Sequence, residues 1–145
     1  MKKVLVAVLL AVLIGGGMAF YFLKDIKLDS ISLNEGMVKA NAFQVGVFTS
    51  YDNALKVADR NNGIVVSDDD LYRVYVAIST NSEVIRKLED YYDSIGLRYY
   101  LKEIDVSKTF SKNVTVYEEM ILKSSVDTYT TINLDVLHEY QENLL

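Results

Sequence analysis

The chain reads as α+β: a membrane-anchoring helix, then a four-stranded antiparallel sheet with two helices on one face, then further helices at the C-terminal end. Three observations predict this. Residues 4–23 carry no charge over twenty positions. Two segments about thirty residues apart, 43–48 and 72–78, alternate in the manner of half-buried strands, and each runs into Ser or Thr residues suited to cap a helix. Apolar residues recur at helical spacing after both strands and again beyond residue 113.

A helix over residues 4–23 would span about 30 Å, the thickness of a bilayer's hydrocarbon core. Lys2 and Lys3 precede it, and Lys24 is followed at once by Asp25, so the basic excess lies in front. That bias puts the N-terminus in the cytoplasm and the rest of the chain outside. A cleaved signal peptide is the rival, since Gly17-Met18-Ala19 has the small-x-small form of a cleavage site. The apolar run continues past that site through Phe20-Tyr21-Phe22-Leu23, with aromatic residues suited to the membrane interface, which favours a retained single-span anchor. Residues 24–41 read as a linker, in which residues 24–30 can continue the helix out of the membrane and Ser32-Leu33-Asn34-Glu35-Gly36 is turn-like.

Residues 42–104 hold the sheet domain. Phe43-Gln44-Val45-Gly46-Val47-Phe48 is the first strand, and strict alternation puts Gln44, Gly46 and Phe48 on one face. Thr49 or Ser50 caps a helix with Asp52 in its first turn and Ala54, Leu55, Val57 and Ala58 on its buried side, stopped at Gly63. Residues 64–66 form a second strand, Asp68-Asp69-Asp70 a polar turn, and residues 71–78 a third strand with Leu71, Arg73, Tyr75 and Ala77 on one face. A second helix runs from Glu83 to Ile95 with Gly96 as its stop, and residues 98–104 form the fourth strand. The order βαββαβ, with both crossovers on one side, predicts a ferredoxin-like sheet whose other face is open to solvent.

These residues also resemble a known family. Gln44-Val45-Gly46-Val47-Phe48-Thr49-Ser50 and Tyr72-Arg73-Val74-Tyr75-Val76 are similar to the two signatures of the SPOR domain, the sporulation-related repeat of bacterial cell-division and cell-wall proteins. The resemblance covers residues 42–104. It departs at Ala77-Ile78-Ser79, where the family has glycine, proline and an aromatic residue. It implies binding of peptidoglycan glycan strands stripped of stem peptides at the division or sporulation septum, held on the open sheet face. The positions that match are Gln44, Thr49, Ser50 and Arg73.

The residues themselves point to a compatible surface. An amide (Gln44), a guanidinium (Arg73) and a phenol (Tyr75) on one face offer directional hydrogen bonds and a flat apolar ring to sugar hydroxyls and N-acetyl groups. Gly46 leaves room for a ring to approach the backbone, and Tyr100 and Lys102 extend the surface from the fourth strand. Each also has an ordinary structural role open to it: a solvated sheet residue for Gln44 and Arg73, a cross-strand pair for Tyr75, a bulge at Gly46.

Residues 105–145 lie outside the resemblance. The stretch 105–112 reads as extended, with Phe110 as a docking side chain. Two helices follow, with a weak zone at residues 128–133 where β-branched residues gather. Their apolar stripe can dock on the sheet domain, self-associate or bind a partner helix. If it docks on the open face, it blocks the glycan surface.

Composition narrows the function. From Lys24 onward 13 basic residues face 20 acidic ones, a net of −7, which argues against a nucleic-acid partner. There is no cysteine, so no thiolate metal site exists, and His138, the sole histidine, reads as a surface or packed residue, with no nucleophile beside it in a recognisable pattern. Asp68-Asp69-Asp70 lacks the ligand spacing of a calcium loop. No catalytic residue, metal or cofactor is expected. The reading is a non-catalytic, membrane-anchored glycan-binding protein with its domain outside the cell. The alternative is a tethered interaction scaffold working through its C-terminal helices with division or cell-wall proteins.

Overall fold

The computed structural model describes residues 36–144. The expected anchor at 4–23, and the linker up to residue 35, lie outside the described residues. Among the described residues no helix is long and apolar enough to cross a membrane.

Strand β1 (Val38–Phe48) leads into helix α1 (Tyr51–Asn61), then strands β2 (Ile64–Asp68) and β3 (Leu71–Ser79), helix α2 (Ser82–Ser94) and strand β4 (Tyr100–Val106). Helices α3 (Lys108–Lys123) and α4 (Tyr129–Glu142) follow, joined by a 3-10 turn at Val126–Thr128. All pairings are antiparallel and the strand order is β2-β3-β1-β4. The expected α+β class and its four-stranded antiparallel sheet are therefore present, in an order consistent with a ferredoxin-like arrangement.

Boundaries differ where local signals were weak. β1 starts at Val38, inside the expected linker, because residues 38–44 pair with β4 down to Val106. The stretch 105–112 is not extended throughout: Ser107 accepts the Phe110 N–H at 3.0 Å and starts α3. The break between the last two helices falls at residues 124–128, ahead of the β-branched cluster. α1 ends on Asn62 in the left-handed region, ahead of Gly63, whereas Gly96 takes a φ of +71° after α2, as a helix stop requires. Ser50 stands at the α1 N-cap but its side chain makes no cap hydrogen bond.

The larger departure is in the strand faces. Two register shifts interrupt the β1–β3 ladder, one between Phe43 and Gln44 and one between Gln44 and Gly46. At the first, β3 carries an extra residue, so Val76 and Ala77 both pack toward α2; at the second, β1 does, and Val45 and Gly46 both turn toward α1. The two bulges compensate. As a result Gly46 and Phe48 lie on the helix side, while Gln44 and Val47 lie on the other. Ile78 and Ala77 exchange the faces that strict alternation assigns them.

One core forms under α1 and α2. Phe43, Val76 and Ala77 meet Val84, Leu88 and Tyr92, and Val74 meets Ala54 and Ala58. A second core forms on the opposite face. Ala40, Ala42, Ile64, Val66, Tyr75 and Ile78 are buried there against Phe110 and Val114 of α3 and Val136, Leu137 and Tyr140 of α4. The sheet is covered on both faces at this end, and the expected solvent-open platform is largely closed.

How α4 reaches this face follows from the length of β2. β2 pairs with β3 only from Leu71 to Tyr75, so Val76 to Ser79 form a bare edge on that side. α4 fills this notch. Its first turns, through Tyr129 and Ile132, join the α2-side core, and its later turns, through Val136, Leu137 and Tyr140, join the other. The edge carbonyl of Val76 accepts the Tyr92 hydroxyl at 3.1 Å, and that hydroxyl accepts from Asn133 Nδ2 of α4 at 3.2 Å. α3 is fastened separately. The buried Glu118 carboxylate takes hydrogen bonds from Ser79, Thr80 and Asn81 in the β3–α2 connection.

Candidate functional site

The part of the second face that the helices leave free is bordered by one polar network drawn from all four strands. Asp68 closes β2, Arg73 lies on β3, Gln44 on β1 and Lys102 on β4. The Arg73 guanidinium donates through Nε to Asp68 Oδ2 and through its NH1 group to Gln44 Oε1 at 3.2 Å. Lys102 Nζ donates to the same Asp68 oxygen at 3.3 Å. Arg73 and Lys102 are ion-paired and half-buried, and Asp68 is the most exposed of the three. These hydrogen bonds from Arg73, then Lys102, hold the Asp68 carboxyl below its ordinary value.

The bonding leaves spare capacity. A guanidinium has five N–H groups, an amide two and an ammonium three. After the contacts above, Arg73, Gln44 and Lys102 retain donors, and Asp68 Oδ1 remains an acceptor. The set is donor-rich and carries a net charge of +1 in an acidic domain. Such a set suits acceptor-rich, planar or anionic groups: amide carbonyls, carboxylates and ring oxygens. Tyr100 sits opposite Gln44 on the same face, and at 65% exposure its ring is an open stacking surface. Val47, opposite Arg73, adds an exposed apolar contact.

The six residues expected to form the site are thus divided. Gln44 and Arg73 come together through a direct hydrogen bond. Thr49 is exposed and Ser50 half-buried in the β1–α1 turn. Two residues are corrected. Tyr75 is 2% exposed, packed beneath α4 with Tyr140, and burial raises its phenol to about 12. It is a core residue because the C-terminal helices cover the face on which it lies. Gly46 points to the helix side, where any Cβ would stand 2.5 Å from the Phe48 ring. Its missing side chain makes room for Phe48, and no gap opens toward a ligand.

Asp68 was missed because Asp68-Asp69-Asp70 reads as one turn. The available signal was parity: Asp68 is two residues beyond Val66 and four beyond Ile64, and so shares their face beside Arg73. The helical cover also had a signal, since Ala40, Ala42, Ile64 and Val66 make that face apolar, whereas a solvated face would be polar.

No protein-family model, curated protein or solved structure matches this chain.

Proposed function

We propose that the chain is a non-catalytic, membrane-tethered binding module of SPOR-like design that holds peptidoglycan glycan strands outside the cell, at the division or sporulation septum. The observation that carries this is the four-strand network Asp68–Arg73–Gln44–Lys102 beside the exposed Tyr100. A fixed guanidinium and amide with unused N–H groups, next to an open aromatic ring, is the combination that sugar rings bearing N-acetyl and carboxylate groups engage. The binding surface in this reading is the uncovered corner of the sheet. The full face is not used, because α3 and α4 occupy the rest.

The test is retention of the detergent-solubilised full chain on sacculi, intact and stripped of stem peptides. Retention on stripped sacculi is expected, and the Gln44→Ala/Arg73→Ala double variant should weaken it by at least tenfold while the far-UV circular dichroism stays unchanged. Retention no greater than that of a heat-denatured control defeats the proposal.

A second reading has one observation in its favour. Val116 and Met120 are exposed four residues apart on the outer side of α3, a spacing that lets a partner helix pack on both. In that reading the chain is a tethered scaffold. Cross-linking to a partner that is lost in Val116→Glu/Met120→Glu, with no glycan retention, would favour it.

A further inference from the structure

We propose that a bound glycan crosses the strands of the sheet along the boundary between the free corner and the helical cover, and that the site accepts only a short stretch of it. The inference rests on the glycan reading above and concerns the direction and length of the bound chain.

Three observations set the path. First, the cover closes the strand direction. Following β3 from Arg73, the next residue on the same face is Tyr75, buried under Tyr140, and beyond it Ile78, buried with Val136 and Leu137 in the same core. Following β1 from Gln44 toward its start, the next are Ala42 and Ala40, both fully buried. A chain laid parallel to the strands would run into α3 and α4. Second, the polar groups gather toward the β2 side of the strand order β2-β3-β1-β4: Arg73 and Lys102, the latter reaching over from β4, share Asp68 Oδ2, and Arg73 links on to Gln44 of β1. Third, the exposed ring of Tyr100 stands opposite Gln44 on the outermost strand. One end of the path is therefore a stacking surface and the other a carboxylate.

Four strands at ordinary spacing extend about 14 Å, room for about three sugar rings. The expected arrangement puts a ring against Tyr100, a ring under the Gln44 and Arg73 donors, and hydroxyls of a third toward Asp68 Oδ1. Tyr100 is thereby a binding residue, and Tyr140 forms the wall that fixes the direction.

The experiment is calorimetric titration of the detergent-solubilised full chain with peptide-free glycan fragments of two, four, six and eight rings. Tyr100→Ala and Tyr140→Leu variants run alongside. Affinity should rise from two rings to four and then stay within twofold. Tyr100→Ala should weaken the four-ring fragment about three- to tenfold, the range of one aromatic contact. Tyr140→Leu keeps an apolar wall and should leave the plateau in place. Affinity that keeps climbing to eight rings, or is unchanged in Tyr100→Ala, overturns the proposed path while leaving glycan binding standing. Binding to no fragment of any length, together with no retention on sacculi, overturns the glycan reading itself. Retention on sacculi without fragment binding shows that a longer surface is needed, and rejects the short site alone.

Discussion

Replacing Glu118 tests what holds the C-terminal helices on the sheet. Its carboxylate is 4% exposed, and Oε1 accepts from the Ser79 hydroxyl at 2.7 Å, the Thr80 N–H at 2.7 Å, the Thr80 hydroxyl at 3.0 Å and the Asn81 N–H at 3.1 Å. All these donors are neutral, and two are backbone groups just ahead of the first turn of α2. Hydrogen bonds to a charged acceptor contribute about 1.5–3 kcal/mol each, but bonds converging on one oxygen do not add in full. Glu118→Ala removes the acceptor and strands the Thr80 N–H, while the Asn81 N–H keeps the Ser79 hydroxyl oxygen at 3.1 Å and that hydroxyl keeps the Asn81 carbonyl at 3.3 Å. Thr80 and Asn81 are only half-buried, and water can recover part of that loss. The expected cost is about 3 kcal/mol. Glu118→Gln keeps an oxygen of the same shape without the charge and should cost about half as much. Urea denaturation followed by far-UV circular dichroism and tyrosine emission measures both, the chain having no tryptophan to mask the tyrosines. A Glu118→Ala loss below about 1 kcal/mol, or equal losses in the two variants, would refute this account of the fastening.

Two further outcomes follow from the second core and its tyrosines. Leu137 is fully buried between α4 and the sheet, so Leu137→Ala should cost about 2–5 kcal/mol, measured in the same denaturation; a loss under 1 kcal/mol would mean that α4 is only loosely docked. Burial raises Tyr75 to about 12 and also raises Tyr92 and Tyr140. Their phenols are protonated in both states below the unfolded value near 10, so their contribution is complete there. Above pH 10 the unfolded chain releases protons that the folded chain retains, and stability falls as pH rises toward 12. Tyr75→Phe should make that fall shallower, and identical slopes in a pH series of urea midpoints would contradict it.

The parts of this fold that were legible in the chain are those set by local chemistry. Periodicity and caps located α1, α2 and the four strands, because Asn81, Gly96 and the apolar spacing act within a few residues of themselves. The bulges at Val45 and Val76 were not legible, because a bulge is decided by what packs on each side of the ladder. Here Phe48 needs the space over Gly46, and Ala77 must join Phe43 under α2. One extra residue inverts the facing of all that follows it, which is why a site reading built on strict alternation kept Gln44 and Arg73 but misplaced Gly46 and Phe48. Tyr75 was assigned its face correctly and its exposure wrongly. Exposure depended on α4, a helix more than fifty residues later in the chain whose docking follows from the shortness of β2.

Cover and site are parts of one construction. α4 is an unsuitable lid, since it contributes to both cores and fills the notch beside Val76–Ser79; lifting it would expose Ile64, Val66, Tyr75 and Ile78 together. A permanent cover has a different consequence: it makes the border of the free corner rigid. Asp68 stands on that border. Its charge adds to burial in raising the Tyr140 phenol on one side, and on the other it holds Arg73 and Lys102 by direct hydrogen bonds. Arg73 in turn holds Gln44. Side chains that would each lose about 1.5–2 kcal/mol of rotamer freedom on meeting a ligand are thus already ordered by their neighbours. In the proposed glycan reading the covered face removes area from the binding surface, and the remaining corner gains a fixed set of donors whose geometry a ligand need not impose.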